Sequence, residues 1–99
     1  MNRTEHLLVC LAEECAEVQQ AVSKALRFGL GDGYPGSGST NAQDIARELM
    51  DLHAVMEMLV VAGLIVIPSD MFEKTCEKKA RVMEYMDYAE ERGTLKGGE

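Results

Sequence analysis

Apolar residues recur along the first third of the chain at the spacing of one helical face. Leu7, Leu11, Cys15, Val18, Val22 and Ala25 fall within roughly 80° of one another when each residue advances about 100°. Thr4 can cap this helix, and its period continues to Phe28, where Gly29 offers a left-handed stop. From Gly29 to Ser39 the composition changes to Gly-Leu-Gly-Asp-Gly-Tyr-Pro-Gly-Ser-Gly-Ser. No regular element tolerates that run, so residues 29–40 read as a loop, either a mobile linker or a phosphate cradle, without a Gly-x-x-x-x-Gly-Lys-Ser/Thr pattern. Thr40-Asn41-Ala42-Gln43 has the form of a capping box and opens a second helix with the stripe Ile45, Leu49, Leu52, Met56 and Leu59. This helix runs at least to Val61, and the stretch from Leu59 to Ile67 is apolar on every side until Pro68 ends it. Ser69 and Asp70 cap a third helix, with Glu73 at capping-box spacing from Asp70, that continues to about Arg92 before Gly93. Its stripe is Met71, Phe72, Thr75, Val82, Met83 and Met86, with Lys79 inside it and Lys78, Arg81 and Tyr85 along its border; Thr94 to Glu99 form a polar tail.

These elements predict an all-α fold: a single domain over residues 1–99 built from three long antiparallel helices. A second helix that is apolar all round needs covering, and one short chain can hardly supply the cover. The economical expectation is a homodimer or homotetramer that completes a four-helix-bundle-like core. Composition agrees, since 46% of the 99 residues are apolar yet Trp is absent and Met numbers seven, a mixture suited to helix packing.

The net charge of −7 argues against a nucleic-acid or anionic-membrane surface, which requires a clustered basic face. A small anionic substrate stays possible if a metal ion mediates its binding. The longest apolar run, Met58 to Ile67, is far shorter than the ~20 residues of a membrane span. The N-terminal segment leads straight into an amphipathic helix with acids inside it, unlike a signal peptide. A soluble, cytoplasmic protein is expected. Cys10, Cys15 and Cys76 lack metal-ligand spacing and read as small buried hydrophobes in a reducing compartment.

The candidate chemistry lies in two pairs of acids. Glu14 with Glu17, and Glu48 with Asp51, are each three residues apart, so each pair shares one side of its helix and borders the apolar stripe. His6, Cys10, Ala21, Lys24 and Phe28 project on the same side of the first helix. If the two helices are neighbours, four carboxylates face one gap. Such a cluster repels itself, and either one acid takes up a proton or a cation neutralises the group. A hard divalent ion suits carboxylate oxygens, and four carboxylates exceed what one Mg²⁺ takes from protein, so two or more ions shared with a triphosphate fit the set. Lys79 reads either as the snorkelling end of a helix flank or as a side chain aimed into the gap. Phe28 and Tyr34, near the loop, are candidates to stack on a base.

Glu13-Glu14-x-x-Glu17, followed some thirty residues on by Glu48-x-x-Asp51, resembles the EExxE…ExxD signature of the MazG-like all-α nucleoside triphosphate pyrophosphohydrolases, which include dimeric dUTPases and dCTPases. The stretch from Lys78 to Met86 is similar to the basic helix that follows in compact members. The resemblance implies that Glu14, Glu17, Glu48 and Asp51 bind Mg²⁺, with Mn²⁺ as a substitute, and that Glu13 adds negative charge and orients water. It further implies hydrolysis at the α-phosphorus to a nucleoside monophosphate and pyrophosphate, in the service of nucleotide-pool house-cleaning. Lys78, Lys79 and Arg81 all lie near the position expected to meet phosphate, and Lys24 is a further candidate. The competing expectation is a non-catalytic helical interaction module that docks a partner through its apolar second helix. A di-iron carboxylate bundle is excluded, since it needs Glu-x-x-His pairs and neither His6 nor His53 forms one.

Overall fold

The computed structural model describes residues 1–97, so the last two residues of the anticipated polar tail lie outside the described residues. Three α-helices follow one another, α1 (Arg3–Phe28), α2 (Asn41–Val61) and α3 (Met71–Glu91), with no strand among the described residues. The fold is all-α. The chain divides into two compact units, Met1–Val66 with α1 and α2, and the segment from Ile67 onward with α3.

α1 begins two residues before the expected start. Asn2, not Thr4, is the cap: its side-chain oxygen accepts from the Glu5 amide at 2.8 Å while the Glu5 carboxylate accepts from the Asn2 amide at 3.2 Å. That reciprocal pair satisfies two donors that the first turn would leave open. α2 starts as expected, Thr40 and Gln43 exchanging the same two bonds at 3.1 and 2.9 Å. It does not extend to Pro68. Gly63 takes φ 74°, and the amides of Gly63 and Leu64 donate back to the carbonyls of Val60 and Leu59. This is the 5→2 and 6→1 pairing of a Schellman stop, open to glycine because it has no Cβ. Val61 is the last helical residue, and Leu64 to Ile67 are exposed irregular chain. On α3, Asp70 makes no capping hydrogen bond, so the anticipated box with Glu73 is not formed.

α1 and α2 form an antiparallel hairpin: Leu7 and Arg3 lie by Met58 and Val61 at one end, and Lys24 lies by Asn41 and Asp44 at the other. Ala21 and Leu59 are its buried apolar residues. Leu7, Cys10, Leu11, Val18 and Ala25 on α1, and Ile45, Leu52, Val55, Met56 and Val60 on α2, are half-buried around them. The packed face of α1 is therefore rotated from the expected stripe by roughly 40° toward the acids, whereas that of α2 widens about its expected stripe, taking in Val55 on the acidic side and Val60 on the other. Cys15, Val22 and Leu49, expected inside, are exposed. Of the cysteines only Cys10 is half-buried, Cys15 and Cys76 being exposed and none paired. Within its own unit α3 buries none of its side chains, Lys79 and its stripe from Met71 to Met86 included.

Candidate functional site

The packed faces of both helices take acids into the seam. On α1, Glu14 stands in register with Leu7, Leu11, Val18 and Ala21; on α2, Glu48 stands between Ile45 and Leu52. Both are half-buried, and Glu48 exposes only 16% of its side chain. Glu17, one turn beyond Glu14, is exposed at the mouth. One carboxylate oxygen from each of Glu14, Glu17 and Glu48 lies within 4.8 Å of the other two. Oε2 of Glu14 and Oε2 of Glu48 are buried without a hydrogen-bond partner.

Three carboxylates at that separation cannot all keep a full charge at no cost. The Glu17 carboxyl is held above its ordinary pKa, first by a hydrogen bond shared with Glu48 and then by the negative charges of Glu14 and Glu48. Compensation comes from one side only. Arg47 donates through Nη2 to Oε1 of Glu48 at 3.4 Å and through Nη1 to Oδ1 of Asp44 at 3.1 Å. The same Asp44 oxygen accepts from the Ser39 hydroxyl at 2.7 Å. That hydroxyl, ahead of Arg47, keeps the Asp44 carboxyl below its usual range.

Of the four acids expected to face one gap, the structure thus brings together three. Asp51, one turn past Glu48, is exposed and stands outside the trio, as does Glu13. Lys24, Phe28 and Tyr34 converge on a groove of ≈ 380 Å³ completed by Asp32, Gly33, Pro35, Asn41 and Asp44. A small cleft of ≈ 60 Å³ adjoins it, sharing Lys24, Asn41 and Asp44, and reaches Glu17, Arg47 and Glu48. The groove and the acidic cleft therefore share a wall of Lys24, Asn41 and Asp44. Phe28 carries the Arg27 guanidinium over its ring, 5.5 Å from the centroid. Lys78, Lys79 and Arg81 are exposed on α3, in the second unit.

The glycine-rich segment is tied down rather than loose. Asn41 is 5% exposed, and its Nδ2 donates to the Gly29 carbonyl at 2.8 Å across the twelve-residue connection. Its own amide donates to the Asp32 carbonyl at 2.6 Å, and the next amide, of Ala42, donates to Leu30 at 3.0 Å. Two N-terminal amides of α2 that would otherwise face solvent thus clasp the loop. Gly33 passes so close to the Ser39 carbonyl that a Cβ would overlap it. Asn41 and Arg47 are the two site residues that the sequence reading did not single out. Asn41 looked like the second residue of a capping box, and Arg47 carried no reading of its own.

No protein-family model, no curated protein and no solved structure matches this chain. No helix among the described residues is long and apolar enough to cross a membrane.

Proposed function

We propose that the hairpin of α1 and α2 is a Mg²⁺-dependent nucleoside triphosphate pyrophosphohydrolase site, converting a nucleoside triphosphate and water to the monophosphate and pyrophosphate. The observation that carries this reading is the buried, unpartnered carboxylate oxygen on each of Glu14 and Glu48, two members of a trio whose third is Glu17. A buried acceptor left unpaired costs about 1–3 kcal/mol. A hard cation removes that cost, and an all-carboxylate donor set without Cys or His selects Mg²⁺ or Mn²⁺ over zinc. Glu14, Glu17 and Glu48 would hold the ion, with Asp51 as a further oxygen donor at the exposed end. When bound, it supplies charge neutralisation at the phosphate oxygens and a lowered pKa for water.

The chain's own residues account for the rest. Glu17, exposed at the mouth, is the member of the trio that water reaches, and it would orient a water and take its proton. Lys24 stands where the acidic cleft meets the groove, suited to the departing pyrophosphate. The groove has the volume of a small-molecule pocket, and Phe28 and Tyr34 offer ring faces to a base. The resemblance of Glu13-Glu14-x-x-Glu17 and Glu48-x-x-Asp51 to the MazG-like signature supports the same reaction.

Exposed apolar residues on both units, among them Leu26, Val61 and Phe72, favour a homodimer or homotetramer in which a second copy covers them. They equally suit the second reading, a non-catalytic module that docks a partner helix. Pyrophosphate release from a panel of ribo- and deoxyribonucleoside triphosphates with and without Mg²⁺ separates the two. The hydrolase reading expects metal-dependent release from at least one of them. Absence of release across the panel, with no thermal stabilisation by Mg²⁺ and a non-hydrolysable triphosphate, would leave the docking module.

A further inference from the structure

We infer that Arg47 is a phosphate-contacting residue of this site, holding an oxygen of the polyphosphate chain beside Glu48; the inference rests on the triphosphate reading above. Among the residues that line the acidic cleft and the adjoining groove, Lys24 and Arg47 are the two cations. In a chain of net charge −7, a triphosphate entering the cleft is repelled unless these two receive it.

Arg47 is built to do so. It directly precedes Glu48 on α2 and its guanidinium lies against the Glu48 carboxylate, so a phosphate oxygen drawn to the trio would come within its reach. One donor of Nη1 goes to Asp44 and one of Nη2 to Glu48, which leaves the remaining N–H groups of the fork for a ligand. The side chain is 60% exposed, and ion pairs in that environment hold little energy. A more highly charged phosphate oxygen competes well for the Nη2 donor that makes the long bond to Glu48, the planar fork matching phosphate geometry. Asp44 is held in place separately, the Ser39 hydroxyl donating to the same Oδ1 at 2.7 Å. Arg47 thus pivots on Asp44, with Lys24 lining the same cleft.

The test is calorimetric titration of the full chain with Mg²⁺ alone and with inorganic tripolyphosphate in the presence of Mg²⁺, together with KM and kcat for whichever nucleoside triphosphate the wild type hydrolyses. Arg47→Gln is expected to weaken tripolyphosphate binding about tenfold or more, the loss of one charged hydrogen-bond set, and to raise KM. Affinity for Mg²⁺ alone should stay within about twofold, and Arg47→Lys should recover part of the loss, as a point charge without the fork. Equal tripolyphosphate affinity in wild type and Arg47→Gln overturns the inference while the hydrolase reading stands. An equal loss of affinity for Mg²⁺ alone also overturns it, since Arg47 would then only position Glu48. A wild-type chain that neither binds tripolyphosphate nor hydrolyses any nucleoside triphosphate overturns both.

Discussion

Replacing Asn41 by Ala should loosen the groove without unfolding the hairpin. The amide is buried, and its single hydrogen bond closes the connection between α1 and α2 at the Gly29 carbonyl, 2.8 Å away. Removing it deletes that bond and leaves the carbonyl with the Asp32 amide at 3.4 Å, a long contact. Loss of a largely buried hydrogen bond, plus the small void left by the amide, amounts to about 1–2 kcal/mol. In a domain of this size that lowers Tm by roughly 5–15 °C. Gly33→Ala should release the same loop by another route, because its Cβ would meet the Ser39 backbone carbonyl, which cannot swing aside as a side chain would. Both changes break one clasp, so the double variant should fall short of the sum of the singles. Thermal unfolding followed by circular dichroism at fixed protein concentration reads these values. A Tm for Asn41→Ala within about 1 °C of wild type would refute the claim that this side chain holds the loop; full additivity with Gly33→Ala would refute the shared clasp.

Two further outcomes follow from the acids. Because Glu17 binds its proton more tightly in the folded chain than in the unfolded one, its contribution to stability is complete below the ordinary carboxylate range. That contribution is lost as pH rises through the raised value. Denaturant unfolding in chelator from about pH 4 to pH 8 should show this loss in the wild type but not in Glu17→Gln, and an identical pH dependence in the two would refute the coupling of Glu17 to Glu48 and Glu14. Asp51→Asn should reduce Mg²⁺ affinity less than Glu48→Gln, since Glu48 alone of the pair belongs to the trio; equal losses by calorimetry would place Asp51 among the principal ligands.

What the amino-acid pattern reveals here is local. The start of α2 at Thr40 and the end of α1 before Gly29 depend on residues within a few positions of each other, and both are readable from the chain. The Asn2 cap is equally local, but Thr4 competes for the role, and only the Glu5 carboxylate reaching back to the Asn2 amide decides it. The Gly63 stop was hidden by the apolar run around it, since hydrophobicity up to Ile67 says nothing about backbone geometry. The helical period located the acids on the border of each stripe. It could not weigh Cys10 and Ala21 against Cys15 and Val22 as seam residues, so the rotation of α1 that half-buries Glu14 stayed out of reach. The roles of Asn41 and Arg47 depend on contacts across the loop and the cleft, which no spacing encodes.

Calorimetric titration of Mg²⁺ into the wild type and into the Glu14→Gln/Glu48→Gln double variant, at neutral pH and with helicity monitored in parallel, bears most directly on the convergence of the acidic trio. The expected result is saturable binding by the wild type and its loss in a double variant that keeps its helical signal. Binding of equal strength by the two proteins, or no binding by the wild type, would contradict the account.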